Sequence, residues 1–567
     1  MTDFIIGGIS FREIRENSCY YADKTTFLEE FLRTVPPKAS LFTRPRRFGK
    51  TLMMNMLNDF FDITQDSKAI FEGLAISKNK ALCDKWMNQY PTVLISLKEM
   101  EGDNFYEAMV EYSHIIERLC GDLSYLQGSA LVGQQEKDTL ACLGKVSKEK
   151  DVLNNSLVTL CRALYAHWNR PVILFIDEYD VPLARAQENG YYPEMVKFIR
   201  KLLGSVLKDS KFLQFGILIG CLRISKESSY TGLNNLRCYG ISDALFADKF
   251  GFTSEEVDDL LAAAGFLEKK DTIKEWYDGY RFGDDTETYC PWDILQYIED
   301  LQANPAAMPK AYWENTSGND IVRTFVEHCN VRDIRRKLDT LMTGGCIATR
   351  IIENLTYDRL YDDIENMWSV LYLSGYLTKA SPEQIKKCGI KSDAGKTVLA
   401  IPNKEVLEIF ADVISKWFKK EVQNIDRTEL FKAFWADDAD ALAKLLCDQM
   451  DDTLSYYDAR EDFYHAFVLG LFTFTGWEVE SNKEYGDGRP DIVVLDTDNK
   501  RAAIIEVKRG KSQRGLPRMA KTGISQIRKN RYATPLLKKE DWKVSLWGMA
   551  FFKKTCAIRT EEAKSQS

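Results

Sequence analysis

Histidine and paired cysteines are scarce in this sequence of 567 residues. It holds only four histidines, and none of its 13 cysteines stands three residues from another. We therefore expect neither a zinc site of clustered cysteines and histidines nor a disulfide framework, and the cysteines should be reduced and mostly buried. Any chemistry must then rest on carboxylates, lysines and arginines.

Long apolar runs are absent as well. No run approaches the ~18 residues that a membrane span needs, and the N-terminus lacks the basic segment and apolar region of a signal peptide. With 45% hydrophobic and 28% charged residues, the composition is typical of a globular protein in water. We expect a cytoplasmic chain of three or four domains with no membrane partner.

A strand, a tight loop and a helix follow one another between residues 40 and 61. Gly49, Lys50 and Thr51 stand where the helix begins, which is the layout of a phosphate-binding loop. Lys50 would reach the β and γ oxygens of ATP, and the Thr51 hydroxyl would hold Mg²⁺. The match is incomplete, because the pattern has a glycine five residues before Gly49, where this chain has Arg44.

Three basic residues of this loop would add positive charge for a triphosphate: Arg44, Arg46 and Arg47. By itself the loop supports a nucleotide site and a basic turn between a strand and a helix equally well. Residues 171–176 favour the nucleotide, because this apolar run predicts a buried parallel strand that ends in Asp177 and Glu178. Asp177 would join the Mg²⁺ shell, and Glu178 would polarise the attacking water.

The next apolar run, residues 212–222, leads into Arg223. A cationic side chain at such a strand end can sense the γ-phosphate of ATP, so Arg223 is the candidate sensor and Ser225 the weaker one. The alternative is that Arg223 only caps the strand in solvent.

Several segments together resemble the AAA-ATPase-like family of bacterial proteins. They are residues 21–25, 44–51, 177–180, 223–228, 232–235, 276–283 and 312–317. In that family an arginine stands where the first loop glycine would be, as Arg44 does here. The resemblance covers about the first half of the chain and implies ATP binding, whereas hydrolysis is an inference from Glu178.

The middle of the chain has a mostly helical pattern. Residues 253–280 predict a helical lid, and residues 368–377 with 398–403 indicate a small winged-helix-like element. Three aromatic residues of the lid would either face a ligand or pack in the core: Trp276, Tyr277 and Tyr280. This region shows no catalytic constellation.

Positive charge is concentrated near the C-terminus. Between Lys500 and Arg559 there are 17 Lys and Arg against 3 acidic residues, an excess of 14 positive charges in a chain whose net charge is −8. This contrast suggests a polyanionic partner, or a basic surface that docks on the acidic remainder of the chain.

The same region carries carboxylates in a catalytic order. Asp491 begins one predicted strand, and Glu506 and Lys508 lie two residues apart on the next, so they share a face while Val507 points to the other. Asp491 and Glu506 would hold Mg²⁺ with the Val507 carbonyl, and Lys508 would orient water or stabilise charge on phosphorus. An acidic edge of an ordinary surface strand is the alternative.

Residues 458–555 resemble the PD-(D/E)XK nuclease superfamily through Pro490-Asp491 and Glu506-Val507-Lys508. Gln526 and Tyr532 resemble residues that often line its active site, and Glu461 is a weaker candidate. The resemblance implies metal-dependent cleavage of DNA or RNA. The expected phosphate contacts, in addition to Gln526, come from Arg509, Arg514, Arg518, Lys521, Arg528 and Lys529, which predicts salt-sensitive binding.

The sequence thus predicts an α/β protein in four parts. These are a P-loop AAA-ATPase-like domain with a parallel sheet (1–250), a helical lid (251–320), a helical, winged-helix-like region (321–455) and a restriction-endonuclease-like domain (456–560). The expected function is an ATPase coupled to a Mg²⁺-dependent nuclease. An ATP-switched nucleic-acid-binding or scaffold protein without nuclease turnover is the alternative. DNA is the expected partner, RNA stays open, and an oligomer is compatible with the sequence.

Overall fold

The computed structural model describes most of the chain. The described residues are 4, 7, 10–146, 149–208, 210–223, 236–313, 322–323, 325, 332–360, 362–390, 395–423, 427–453, 461–472, 477–481, 483–539 and 541–563. They form two compact units, one of Met1–Thr316 with Ala348–Val406 and one of Ser317–Ile347 with Leu407–Ser567. The division into four domains stays a prediction.

The first unit is built on a parallel sheet of five strands. The strands are β1 (Ala39–Thr43), β2 (Thr92–Ser96), β3 (Val172–Asp177), β4 (Leu213–Gly220) and β5 (Leu236–Tyr239), in the spatial order β2-β3-β4-β1-β5. All neighbouring pairs are parallel. Because parallel strands need crossover connections, the loops that follow β1, β3 and β4 all leave the same edge of the sheet.

Helices cover both faces of this sheet, which explains the continuous apolar runs in its strands. On β3, Leu174 and Ile176 belong to one hydrophobic cluster and Ile173 and Phe175 to another, and all six residues of the strand are buried. The α-helices up to residue 207 are Phe11–Glu16, Thr26–Leu32, Lys50–Phe61, Lys68–Phe71, Lys80–Trp86, Phe105–Asp122, Tyr125–Gly128, Gln134–Leu143, Lys150–Asn154, Ser156–Trp168, Val181–Glu188 and Tyr192–Leu207.

The rest of the first unit contains shorter elements. Its helices are Ser254–Ala264, Lys270–Tyr277, Pro291–Ala303, Ile364–Leu373 and Pro382–Cys388, and Lys404–Gln423 contains the boundary between the units. The strands β6 (Tyr280–Phe282) and β7 (Thr286–Thr288) form a hairpin, and β8 (Ile347–Thr349), β9 (Thr378–Lys379) and β10 (Thr397–Ala400) form a small sheet. The predicted aromatic patch is buried, with Trp276 and Tyr277 in a hydrophobic cluster and Tyr280 1% exposed.

The second unit contains a mixed sheet of five strands in sequential order. They are β11 (Glu478–Ser481), β12 (Ile492–Asp496), β13 (Arg501–Arg509), β14 (Lys543–Phe552) and β15 (Thr555–Glu562). Only β13 and β14 are parallel, because the helix Leu516–Lys529 crosses between them. The other helices are Arg332–Met342, Thr428–Trp435, Ala439–Thr453, Glu461–Phe472 and Thr534–Leu537. The α/β fold class is thereby confirmed.

Within the described residues, none of the helices combines the length and the apolar character needed to cross a bilayer.

Candidate functional site

The loop after β1 has the backbone of a tight turn into a helix. Gly49 precedes the helix Lys50–Phe61 with a φ of 76°, and Arg47 has a φ of 70°. A side chain at position 49 would meet no atom within 4 Å, so glycine is needed for its left-handed conformation rather than for space. The exposed N-terminus of the helix therefore adjoins open space, as an anion site requires.

Lys50 bends back over this loop. Its Nζ donates to the carbonyls of Pro45 at 2.8 Å and Arg44 at 3.2 Å, and it lies 3.6 Å from Sγ of Cys221. The side chain is only 8% exposed. Phosphate oxygens are charged acceptors and form stronger hydrogen bonds with an ammonium group than neutral carbonyls do, so a nucleotide would compete well for this lysine.

Thr51 and Asp177 meet across the sheet edge. The Thr51 hydroxyl donates to Oδ2 of Asp177 at 2.6 Å, and the backbone N–H of Glu178 donates to Oδ1 at 2.9 Å. Burial raises the pKa of Asp177, and the Thr51 hydrogen bond and the charge of Lys50 oppose this shift. A hydroxyl, a carboxylate and an ammonium group from two strand ends thus converge, which is the donor set that Mg²⁺ and a phosphate would use.

Glu178 adopts a φ of 51°, a rare conformation for a residue with a side chain. Burial raises the pKa of Glu178, and the adjacent charge of Asp177 raises it further. A carboxylate with a raised pKa holds a proton more readily, which is the property of a general base.

Arg44 is turned into the protein. Its guanidinium donates to the carbonyls of Thr43 at 2.8 Å, Tyr239 at 3.0 Å and Phe246 at 2.9 Å, and its side chain is fully buried. Burial lowers the pKa of Arg44 to about 10. A triphosphate would have to displace these three bonds to contact Arg44, which joins the loop to the end of β5.

The other two arginines of the loop differ in environment. Arg46 is partly buried and lies near Asp180, Tyr357 and Cys221. Arg47 is exposed, and its guanidinium lies 4.0 Å from the ring centroid of Trp292. Stacking on an aromatic face leaves the edge of a guanidinium able to bind an anion.

Asp180 fixes the end of β4 beside Lys50. Its Oδ2 accepts hydrogen bonds from the backbone of Cys221 at 2.9 Å and Leu222 at 3.0 Å, and from the Tyr357 hydroxyl at 3.1 Å. The motif 177–180 pointed to this residue without indicating its role. No local pattern pointed to Tyr357, because it follows Asp180 by 177 residues.

Arg223, the predicted γ-phosphate sensor, is held by two carboxylates. Its guanidinium donates to Asp243 at 2.6 Å and Glu353 at 2.5 Å, and its side chain is 14% exposed. A phosphate would have to replace at least one of these partners. The weaker candidate, Ser225, lies outside the described residues, as do residues 226–228 and 232–235 of the resembling segments.

A buried acidic pair lies behind the loop. The carboxyl groups of Asp293 and Glu405 lie near each other. Glu405 accepts from the backbone of Trp313 at 2.9 Å, whereas both carboxylate oxygens of Asp293 are buried without a hydrogen-bond partner. Burial raises the pKa of Asp293 to about 6 and that of Glu405 well above its ordinary value. The loop touches this region through Arg47, whose carbonyl accepts from the Cys290 thiol at 3.7 Å.

The first unit should lose stability as the pH rises. Because both pKa values are raised above those of the unfolded chain, the folded state binds more protons from about pH 4 upward, and stability falls through pH 6 and beyond. Replacement of Glu405 by glutamine keeps an acceptor for Trp313 and removes the repulsion. We expect this variant to gain a few kcal/mol at pH 8 and little at pH 4, measured by urea unfolding. Equal effects at both pH values would contradict this assignment.

In the second unit, Asp491 and Glu506 lie side by side on neighbouring strands. Ile492 pairs with Ile505 in the antiparallel register of β12 and β13, which places Asp491 opposite Glu506. Oδ2 of Asp491 accepts a hydrogen bond from the Val507 backbone at 2.7 Å, and Nζ of Lys508 lies 2.9 Å from Oε2 of Glu506. The structure therefore brings these three side chains together.

Successive side chains of β13 point to opposite faces of the sheet, as its sequence predicts. Ile504 belongs to the cluster beneath the helix Leu516–Lys529, whereas Ile505 and Val507 belong to the cluster on the opposite face. Glu506 lies on the same face as Ile504, beneath this helix. The helix is close there, since a Cβ added at Gly523 would lie 3.3 Å from the Cβ of Glu506.

Glu506 has an incompletely satisfied carboxylate. It is fully buried, and its Oε1 has no hydrogen-bond partner. Burial and the charge of Asp491 raise the pKa of Glu506 to about 7. A divalent cation would give the unpartnered oxygen a ligand bond and would offset the repulsion between the two carboxylates. The oxygens of Asp491, Glu506 and the Val507 carbonyl are the kind of ligand that hard cations prefer. Across the described part of the chain, no three His, Cys, Asp or Glu side chains form a metal-binding group, so this set has two carboxylates.

The helix Leu516–Lys529 approaches the sheet closely. A Cβ at Gly548 of β14 would lie 2.0 Å from the Ala520 carbonyl, so glycine allows this contact. The helix packs one side against the sheet. Most of the residues predicted to contact nucleic acid are exposed to solvent: Arg509, Arg514, Arg518, Lys521, Arg528 and Lys529. Arg528 also pairs with Glu561 at the surface.

The remaining candidates have less direct positions. Gln526 is partly buried, and Tyr532 is 2% exposed and donates through its hydroxyl to the Arg489 carbonyl at 3.2 Å. The side chain of Glu461 lies outside the described residues. No sequence pattern pointed to His465, whose Nε2 lies 3.0 Å from the Asp491 carbonyl and 3.1 Å from Oγ of Ser481. A carbonyl only accepts, so Nε2 carries the proton.

Comparison with known proteins finds a family match in each of the two regions. Residues 5–230 match the family of predicted AAA-ATPases, and residues 459–561 match the PD-(D/E)XK nuclease superfamily. A curated relative, the uncharacterized protein in the vnfD 5' region of Azotobacter chroococcum mcd 1, is 24% identical over 511 residues, which is 86% of either chain.

A search of solved structures found the Aeropyrum pernix ORC2 protein in ADPNP-ADP complexes. It is 11% identical, and the match covers 69% of this chain and 92% of that one, with a TM-score of 0.22. This score is too low for a likeness of the whole fold. The chain thus matches predicted AAA-ATPases over residues 5–230 of the first unit and the PD-(D/E)XK nuclease superfamily over residues 459–561 of the second.

Proposed function

We propose that this protein binds and hydrolyses Mg²⁺-ATP in its first unit and cleaves nucleic-acid phosphodiesters with a divalent cation in its second. The observation that carries the proposal is that each unit places a lysine beside acidic side chains at a sheet edge. In the first unit these are Lys50 and Asp177, and in the second Lys508 with Asp491 and Glu506.

In the ATPase site, Lys50 would bind the phosphates, and Thr51 with Asp177 would hold Mg²⁺. Glu178 would accept a proton from the attacking water, which its raised pKa favours. Bound Mg²⁺ would neutralise charge on the phosphates. The ion pairs of Arg223 with Asp243 and Glu353 would have to open before Arg223 contacts a γ-phosphate.

In the nuclease site, Asp491 and Glu506 would hold the cation with the Val507 carbonyl. When bound, the cation would polarise the phosphate and favour ionisation of water. The Lys508 ammonium would stabilise the negative charge that develops on the phosphate oxygens. The exposed basic residues would bind the backbone of DNA, or of RNA, and give affinity that falls with salt.

Replacement of Glu178 by glutamine should separate binding from turnover. The amide keeps the shape of the side chain but does not accept the proton, so we expect unchanged ATP affinity and a turnover rate lower by about 10²-fold or more. Titration with a fluorescent ATP analogue and a phosphate-release assay measure the two quantities. An unchanged rate would rule out Glu178 as the base.

The proposal as a whole is tested by incubating purified protein with single- and double-stranded DNA and RNA. Reactions contain Mg²⁺ or EDTA, and each is run with and without ATP. Cleavage that requires Mg²⁺ supports the nuclease assignment, and its dependence on ATP reports whether the two activities are coupled. Salt-sensitive binding without cleavage would instead support an ATP-switched nucleic-acid-binding protein.

A further inference from the structure

Two cysteines of the second unit are in contact although 109 residues separate them. Cys447 lies in the helix Ala439–Thr453 and Cys556 in β15, and their sulfur atoms are 3.6 Å apart. The helix packs along this edge strand. The contact therefore belongs to the fold of the unit and joins two distant parts of its sequence.

The surroundings of the two thiols are compatible with reaction. Both residues are partly buried. The backbone N–H of Cys556 donates to Sγ of Cys447 at 3.4 Å, and the Cys556 thiol lies 3.4 Å from the Ala443 carbonyl. A disulfide bond is about 2.05 Å long, so closure needs a movement of about 1.5 Å between the sulfur atoms.

We propose that Cys447 and Cys556 form a reversible intramolecular disulfide when the protein meets a small disulfide such as oxidised glutathione. The reaction is thiol–disulfide exchange, in which the small disulfide is the oxidant. This site is separate from the nuclease centre and does not depend on the proposed function.

Cys447 is the expected first nucleophile. Hydrogen bonds from Cys556 favour its thiolate, whereas the same contact and burial raise the pKa of the Cys556 thiol. The Cys447 thiolate attacks the small disulfide, forms a mixed disulfide and releases one thiolate. Cys556 then loses its proton, attacks Sγ of Cys447 and releases the second thiolate. Two electrons pass to the small disulfide, and two protons leave the protein thiols.

The closed loop would contain the whole nuclease motif, including Asp491, Glu506 and Lys508. A covalent link across so long a loop removes much of the entropy of the unfolded unit. We expect the melting temperature of this unit to rise by roughly 10 °C on oxidation and to return on reduction.

The test exposes the full chain to oxidised glutathione and analyses it by mass spectrometry after proteolysis. The expected product is a peptide pair joined through Cys447 and Cys556, lighter than the separate peptides by two hydrogens and lost on reduction. The Cys447→Ser and Cys556→Ser variants should not show the rise in melting temperature. The Cys142→Ser variant, which alters an exposed cysteine of the first unit, should behave as the wild type.

The readout on the wild-type chain does not depend on the folding of any variant. No cross-linked peptide, a mixed disulfide at Cys447 that persists, or a link through another cysteine would each overturn the proposal. A link of equal yield in denatured protein would also overturn it, because the native contact would then have no part in the reaction.

Discussion

Replacement of Lys50 by alanine is expected to lower the affinity for ATP by about 100-fold or more. Its ammonium group now donates to two neutral carbonyls of the loop, which keeps it ordered at the site. Charge-assisted bonds to phosphate would each contribute about 1.5–3 kcal/mol, and about 3 kcal/mol corresponds to the 100-fold loss. ATP binding is measured by isothermal calorimetry with Mg²⁺, and ATP turnover should fall below detection.

Lys38 provides a matched control for this prediction. It also donates to a backbone carbonyl, that of Leu213 at 2.7 Å, but it stands at the start of β1 and β4 rather than at their ends. Its replacement by alanine removes the same charge from the opposite edge of the sheet, so ATP affinity should stay within about twofold of the wild type. If both variants lost ATP affinity equally, the loss would reflect the removal of any positive charge. That result would contradict a phosphate-binding loop at Lys50.

The proximity of Thr51 and Asp177 could be predicted from the sequence, because it depends only on which strands are parallel and on which edge of the sheet their C-terminal ends share. Both residues follow buried apolar runs, and the carboxyl ends of parallel strands share one edge. The same holds for Asp491 and Glu506, because side-chain alternation and a short connection between antiparallel strands fix which residues face each other. In both sites, the predicted proximity needed only local periodicity and one topological rule.

Arg44 and Arg223 show what such reasoning misses. A positive charge in a loop suggests an anion as its partner, but the guanidinium of Arg44 donates to the carbonyls of Tyr239 and Phe246, which lie about 200 residues further along the chain. Arg223 likewise pairs with Glu353, 130 residues away. Which acceptor a buried guanidinium finds depends on tertiary packing, and no spacing in the sequence carries that information. His465 was missed for the same reason, because its partner is a backbone carbonyl.

Removal of the Lys508 amine is expected to lower the rate of Mg²⁺-dependent cleavage by about 10²–10³-fold. The ammonium group lies 2.9 Å from Glu506, close to where the cation would be held, and it is the basic group placed to stabilise charge on the phosphate. The Lys508→Ala variant should still bind nucleic acid, since the exposed arginines and lysines of the neighbouring helix remain. Single-turnover cleavage and filter binding on the same substrate separate these two effects.

The Asp491→Ala variant should lose cleavage activity as completely as the Lys508→Ala variant, but for a different reason. It removes one of two carboxylates and leaves the Val507 N–H without its 2.7 Å acceptor, so the apparent affinity for Mg²⁺ or Mn²⁺ should fall along with the rate. Lys508→Ala should lower the rate at saturating metal. This contrast distinguishes a metal ligand from a residue that stabilises charge.

The Lys543→Ala variant completes the comparison. Lys543 begins β14 and pairs with Asp437 at 2.6 Å, so it resembles Lys508 in charge and in having a carboxylate partner but lies at the other end of the parallel pair β13 and β14. Cleavage by this variant should match the wild type. If all three variants cleave at the wild-type rate, the activity belongs to another site or to a contaminant. If only the Lys543→Ala variant loses cleavage activity, the active site lies at the opposite end of β13 and β14 from the one proposed.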